Sequence, residues 1–313
     1  MSVSIIQIKN ATLITMKILV LGGGNSSERE VSLRSSLAVR QALVAAGYAV
    51  QTADPADGDP AVVAAAQDSD VIFPILHGTG GEDGKIQRLL DSTGKPYLGS
   101  GAAASELCFD KARLKAVLIK NGLLTPKSEI VTSGTLADSP LVKRPFVLKP
   151  VADGSSVGTM IVKSLPYDFN RANELLAHYG QMLLEEMIIG TEITVPVLGE
   201  TALPVIEIVP PAGKDFDYEN KYNGATSELC PPENVSPDLQ MRAQKLAEKV
   251  HAASGARHLS RTDMIIDANE NIYILEINTL PGMTQTSLFP KSAAVAGLDW
   301  PSLAKKLVEL ATA

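Results

Sequence analysis

The sequence predicts a two-part molecule, a doubly wound parallel-sheet α/β lobe followed by an α+β lobe. Three observations predict it. A continuous apolar run, "MKILVLGGG" (residues 16–24), ends in glycines and gives way to a helical segment. Two further short apolar runs, "YAVQTAD" and "DVIFPILHG", alternate with helical stretches, the pattern of a parallel sheet with crossover helices. Beyond about Phe109 the strand-like runs are grouped and the helices set apart, as in an α+β lobe.

Each element has a local reason. After the first strand, "SSEREVSLRSSLAVRQALVAAGY" opens with a Ser27-x-x-Glu30 capping box and stops at Gly47, where a C-terminal glycine belongs. Sites in doubly wound sheets lie at the carboxyl ends of strands, and both "LGGGNSSERE" and "LHGTGGEDG" start there. A helix, "DKARLKAVLIKNG", leads into the runs "PFVLKP", "TMIVKS", "ITVPVLG" and "PVIEIVP". A polar loop is expected over "PAGKDFDYENKYNGATSELCPP", then a helix from about Pro237 to Gly255. The hairpin "RTDMIIDANENIYILEIN" and a helix near Trp300–Ala311 close the chain.

The bulk numbers narrow the function classes. A chain of 313 residues has room for two or three compact domains. A net charge of −7 argues against nucleic acid and anionic membranes as partners. No run of about 18 apolar residues is present, so no transmembrane helix is expected. The N-terminus lacks the basic region of a signal peptide. Met16 is a second candidate start, which would leave residues 1–15 as an extension without an assigned role. Cys108 and Cys230 show no metal spacing and suit free thiols in a reducing cytoplasm, although one long-range disulfide is also compatible.

The hairpin carries the sharpest chemical signal. With a turn centred on Asn269-Glu270, Asp263 falls opposite Glu276, and Asn278 shares the face of Glu276. Facing carboxylates repel. A hard divalent cation resolves that conflict, because Mg²⁺ favours carboxylate and amide oxygens shared with phosphates. A solvated hairpin edge is the alternative, but the apolar flanks "MII" and "IYILEI" favour a partly buried sheet and the metal. Arg261, two residues before Asp263, either holds a transferring phosphoryl group or oxyanion or forms a structural ion pair with those carboxylates.

Other positions are weaker singly. In "NTLPGMTQTSLFP" the Pro281-Gly282 turn and the hydroxyl residues after it can offer backbone N–H groups to an anion. Glu30 has a capping job. Glu28 has none, and either binds a substrate ammonium or answers the helix dipole. Lys111, Lys149 and Lys221 sit at strand or loop edges and would neutralise phosphates if they converged. His77 lies in a glycine-rich strand-end loop, whereas His178, His251 and His258 read as helix or surface residues. The stretch "KPVADGSSVG" (residues 149–158) puts a lysine before a Gly-Ser loop without P-loop spacing.

Taken in order, "GGGNSSEREVSL", "HGTGGEDG", "GSGAAASELCFDK", "VLKPVADGSSVG", "DYENKY", "RTDMII" and "LEINTLPGMTQTSL" resemble the motifs of D-alanine–D-alanine ligases of the ATP-grasp superfamily, over nearly the whole chain from Met16. The resemblance implies an N-terminal substrate-binding domain (1–106) and two ATP-grasp subdomains, a small one (107–190) and a large one with the metal hairpin (191–313). It implies a cytoplasmic enzyme of cell-wall precursor synthesis, usually a homodimer, using ATP and two Mg²⁺ (or Mn²⁺) to join two D-alanines through an acyl phosphate.

Carried over residue by residue, it implies that Asp263, Glu276 and Asn278 bind metal and that Arg261 steadies the transferring phosphoryl group. Lys111, Lys149 and Lys221 would meet ATP phosphates. Glu185 and Glu192 would lie at the adenine and ribose hinge. Glu28 would bind the first ammonium and His77 would lie by that substrate's carboxylate. Gly282 would donate to an oxyanion, and Ser287 and Leu288 would hold the second carboxylate. Ser155 would link Glu28 to Tyr222, and the tyrosine in "ENKYNG" favours dipeptide over D-alanyl–D-lactate synthesis. Thr262 departs from the family, which more often has an aliphatic residue there. The alternatives are another ATP-grasp carboxylate ligase with a different second substrate, or a nucleotide-binding module without catalysis; Arg261 argues against the latter.

Overall fold

Strand β1 (Lys17–Leu21) pairs in parallel with β2 (Ala49–Ala53) and β3 (Val71–Pro74), in the order β2-β1-β3. The computed structural model describes residues 16–154, 157–211 and 226–313. Ile18 and Val20 point into one cluster with Val39 and Leu43 of helix α1 (Arg29–Ala45). Leu19 and Leu21 point into another, with Val62 and Ala66 of α2 (Asp59–Gln67) and Ile86 and Leu90 of α3 (Lys85–Thr93). Helices therefore cover both faces, which is why the strand reads as an unbroken apolar run. The doubly wound lobe is present as expected.

The Ser27–Glu30 capping box does not form. Helix α1 starts at Arg29 with Glu28 at the N-cap and no side-chain cap bond, and Ser27 and Glu30 are exposed. Ser26 pins the turn instead: its Oγ accepts from Glu28 N–H at 3.2 Å and donates to the His77 carbonyl at 2.7 Å. A bond to the neighbouring strand-end loop has displaced the local one. At the other end Gly47 takes the left-handed conformation, φ 95°, that the stop signal requires.

The second sheet is antiparallel, β4-β7-β5-β6, from β4 (Ser128–Val131), β5 (Phe146–Pro150), β6 (Met160–Val162) and β7 (Met182–Glu186). Helix α6 (Asn170–Tyr179) packs Ala172, Leu175 and Leu176 against Phe146 and Leu148. The third sheet runs β11-β10-β8-β12-β13, with the short β9 (Thr201–Ala202) beside β8. Its strands are β8 (Gly190–Leu198), β10 (Ile206–Val209), β11 (Ser227–Leu229), β12 (Leu259–Asp267) and β13 (Ile272–Asn278). Strand β11 lies within the stretch expected to be wholly loop, because Ser227–Leu229 finds an open edge at β10.

Helices α4 (Ala102–Phe109) and α5 (Lys111–Lys120) put Cys108, Leu114 and Leu118 into the core of this third sheet, beside α7 (Pro237–Ser254). After α8 (Leu288–Val295), the last helix, α9 (Trp300–Thr312), returns to the first lobe. Its Leu303, Leu307 and Val308 pack with Val39 and Leu43, and Trp300 Nε1 donates to the Ala38 carbonyl at 3.2 Å. No helix among the described residues is long and apolar enough to cross a membrane.

Candidate active site

The β12–β13 hairpin sets Asp263 opposite Glu276 and Arg261 opposite Asn278. Near the turn the register differs by one residue, with Met264 opposite Ile274 and Ile266 opposite Ile272. A bulge at Leu275 absorbs the shift, so Leu275 and Glu276 together oppose one step of β12. The turn is centred on Asn269, half a residue from the Asn269-Glu270 centre expected, and Glu270 adopts φ 61° to close it. The expected carboxylate pairing stands because the two displacements cancel.

Arg261 and Asp263 form a bidentate pair, Nε to Oδ1 at 2.9 Å and Nη2 to Oδ2 at 2.9 Å. Thr194 Oγ1 adds a bond to Oδ1 at 2.5 Å. Burial opposes the charge on Arg261, but Asp263, Glu276 and Glu82 more than restore it, and its pKa is raised. Of the three proposed metal ligands, Glu276 and Asn278 line the central cavity while Asp263 is turned to Arg261. Two carboxylates and an amide on one sheet face are the hard oxygen donors that Mg²⁺ selects, so the residues fit that ion.

A cavity of about 810 Å³ opens in front of the hairpin. Glu28, His77, Lys111, Arg261, Gly282, Ser287 and Leu288 line it with Glu276 and Asn278. Glu28 is buried at the N-terminus of α1. His77 follows β3, and its Nε2 lies 3.2 Å from Ser35 Oγ. Burial, and secondarily the charge of Arg261, push its pKa down to about 4 despite a Leu280 backbone bond, so it is neutral. Ser287 caps the Pro-Gly turn: its Oγ accepts from Thr284 N–H at 3.0 Å, and a Cβ on Gly282 would lie 3.0 Å from that Oγ.

The lysines divide between two places. Lys111, at the start of α5, donates to the Asp153 carbonyl at 2.6 Å and lies 3.8 Å from Glu276. Burial, then the charge of Lys149, lowers its pKa against the pull of Glu276, and an incoming anion would relieve that conflict. Lys149, on β5, pairs with Glu185 of β7 at 2.8 Å. Glu185 is buried and its other oxygen pairs with Lys115 at 2.8 Å. Glu192 sits on β8 opposite Ile265 of β12. Ser155, Lys221 and Tyr222 lie outside the described residues.

Sequence reasoning missed Glu82 and Lys115. Glu82 lines the cavity and accepts the Gly78 N–H at 2.6 Å. Burial and then Glu28 push its pKa up to about 8, so it is protonated at neutral pH. Its signal was the carboxylate inside the glycine-rich "HGTGGEDG". Lys115 is four residues from Lys111 on one helix face, a spacing that could have linked them. Two of the histidines read as helix or surface residues are structural: His251 is buried against Ser260, and His258 accepts the Gly99 N–H at 3.1 Å between lobes.

Two antiparallel sheets, one carrying the Lys149–Glu185 pair and the other a carboxylate–amide hairpin, define the class: this is the ATP-grasp architecture. Residues 131–309 match the model of the D-ala D-ala ligase C-terminus and residues 52–100 that of the N-terminus. A D-alanine–D-alanine ligase of Nitratidesulfovibrio vulgaris is 42% identical, over 94% of this chain and 98% of that protein. The crystal structure of the Bacillus anthracis D-alanine–D-alanine ligase complexed with ATP superposes with TM-score 0.81 at 30% identity, covering 95% of this chain and 97% of that one. The VanG D-Ala:D-Ser ligase of Enterococcus faecalis gives TM-score 0.81 at 28% identity, over 95% and 99% of the two chains. The chain belongs to the D-alanine–D-alanine ligase family.

Proposed function

We propose that this enzyme joins two D-alanine molecules at the expense of ATP, through a D-alanyl phosphate. The observation that carries the reading is the shared cavity, where Glu28 and His77 from the first lobe meet Arg261, Glu276 and Asn278 of the hairpin. A carboxylate is a poor electrophile until one oxygen becomes a phosphate leaving group, and that activation needs cations around the phosphates. Glu28 holds the first D-alanine by its ammonium, and neutral His77 lies beside its carboxylate without adding charge. The carboxylate oxygen attacks the γ-phosphorus and ADP departs. Arg261 steadies the transferring group.

The amine of the second D-alanine, held at Ser287 and Leu288, attacks the acyl carbon. The Gly282 N–H faces the resulting oxyanion, and phosphate leaves as the amine gives up its proton. Asp263, Glu276 and Asn278 would hold divalent cations, which supply charge neutralisation at the phosphates. Lys111, Lys149 and Lys221 meet those phosphates, with the nucleotide's adenine and ribose toward Glu185 and Glu192. By the family resemblance Ser155 would link Glu28 to Tyr222. The domain division at 106 and 190, a cytoplasmic location and a homodimer belong to the same proposal. Exposed Leu33, Leu37 and Val44 along one face of α1 support the dimer.

Phosphate release with ATP, Mg²⁺ and D-alanine tests the reading, with L-alanine, D-lactate and D-serine in parallel. D-Alanine-dependent release is expected. Its absence from folded protein that binds ATP would sink the assignment.

A further inference from the structure

Lys115 has no place in the reaction just described, yet it is among the most buried charges of the molecule, with a side chain 3% exposed. Its ammonium has three hydrogens, and three oxygens surround it: Glu185 Oε1 at 2.8 Å, Thr125 Oγ1 at 2.6 Å and the Pro126 carbonyl at 2.9 Å. Each is a protein atom, two held by hydrogen bonds and Glu185 by an ion pair, so Lys115 cannot turn to a ligand without abandoning a buried partner. Its neighbour differs. Lys149 pairs with the other oxygen of the same carboxylate, Glu185 Oε2, at 2.8 Å, and feels Glu276 of the hairpin.

Glu185 thus bridges a fixed cation and one within electrostatic reach of Glu276 on the hairpin. The arrangement has a consequence for any polyanion that arrives there. A phosphate drawing Lys149 away would strip one counter-charge from a carboxylate only 3% exposed, and a buried carboxylate without a partner is costly. With Lys115 in place, Glu185 keeps one ammonium throughout, so Lys149 can be shared with the ligand.

We propose that Lys115 is a positioning residue for ATP: it holds the charge of Glu185 so that Lys149 is free to engage phosphate. The proposal rests on the reading that Lys149 meets ATP phosphate. Without Lys115, Glu185 has Lys149 as its remaining ammonium and competes with ATP for it. The effect belongs to ATP binding, because the polar partners of Lys115 among the described residues, Glu185, Thr125 and Pro126, belong neither to the hairpin nor to the first lobe.

The test is steady-state kinetics on the full chain, with KM for ATP and for D-alanine measured separately, for Lys115→Met, Lys115→Arg and Lys149→Met. Lys115→Met is expected to raise KM for ATP at least about tenfold. KM for D-alanine and kcat at saturating ATP should stay within about twofold. Lys115→Arg keeps a counter-charge on Glu185 and should hold KM for ATP to within about threefold of the parent. A merely structural role would leave Lys115→Arg no better than Lys115→Met. If Lys115→Met does not fold, Lys115→Arg still decides, and a tenfold rise in its KM for ATP overturns the proposal. An unchanged KM for ATP in Lys149→Met refutes the underlying reading of Lys149. A rise there with no change in Lys115→Met overturns the inference alone.

Discussion

Asp263 faces Glu276 across the β12–β13 ladder, but the two carboxylates stand in different surroundings. Asp263 is clamped by two guanidinium nitrogens of Arg261, Nε and Nη2, and the side chains are 11% and 14% exposed. Glu276 is 33% exposed, with Lys111 no nearer than 3.8 Å. Glu276→Gln should therefore leave the fold intact, changing unfolding free energy by less than about 1 kcal/mol. Turnover should be lost, because the amide is a weaker ligand for a cation. Asp263→Asn should cost about 3 kcal/mol as well, since it strands a buried arginine. Urea denaturation beside the phosphate-release assay separates them; an active Glu276→Gln would refute the metal assignment.

The parts of this site that were legible in the sequence depended on local pattern. An unbroken apolar run located β1, the apolar flanks and facing carboxylates located β12, and the helix stops at Gly47 and Gly255 fell where glycine is needed. The hairpin pairing was legible through compensation. Spacing of buried Ile272, Ile274 and Ile277 changes from two residues to three across Leu275, and that change marks the bulge. What stayed hidden is long-range. Nothing local says that α9 closes back on α1, or that Glu185 on β7 takes cations from both α5 and β5. Glu185 and Lys115 lie far apart in sequence, and only the fold brings them together.

Thr262 occupies the core face of β12, fully buried between Val195 and Ile277 of the flanking strands. Among the described residues its Oγ1 has no hydrogen-bond partner. A buried unsatisfied hydroxyl carries a desolvation penalty of about 1–3 kcal/mol. Thr262→Val keeps the shape and removes that group, so the variant should be as stable as the parent or more so. Turnover should be unchanged, because the hydroxyl faces away from Arg261 and Asp263. A loss of more than about 1 kcal/mol in thermal or chemical unfolding would show that the hydroxyl is satisfied.

Buried His77 and half-buried His258 should each subtract stability as acid is added, between two limits, while Glu82, pushed up to about 8, acts in the opposite direction. Burial pushes both histidines down to about 4, from an ordinary value of 6.5. Between those values the unfolded chain binds more protons at these two positions than the native one, so their contribution falls as pH drops below 6.5. Above 6.5 both are neutral in either state and the effect vanishes. For His77 the loss reaches about 3 kcal/mol once the native group must be protonated. His258→Asn retains an acceptor for the Gly99 N–H and tolerates the left-handed φ of 66°. Denaturation at pH 7.5 and pH 5 should show a smaller acid loss for this variant; an equal loss would place the sensitivity elsewhere.

Gly154 shows how closely the glycine–serine loop approaches the first-lobe carboxylate. A Cβ built there would lie 2.8 Å from Glu28 Oε2 and 3.8 Å from Glu82 Oε2, and both residues line the cavity with Gly154 itself. The contact is steric, with the far end of a flexible side chain, so Gly154→Ala should fold normally and push the Glu28 carboxylate aside. If that carboxylate holds the ammonium of the first D-alanine, one displaced charge-assisted hydrogen bond is worth about 1.5 kcal/mol or more, roughly a tenfold rise in KM for D-alanine. KM for ATP should move by less than about twofold, because Lys111 and Lys149 keep their partners. The split between the two KM values is the readout. Equal rises would mean that the methyl group disturbs the whole loop, and an unchanged KM for D-alanine would remove Glu28 from the substrate site.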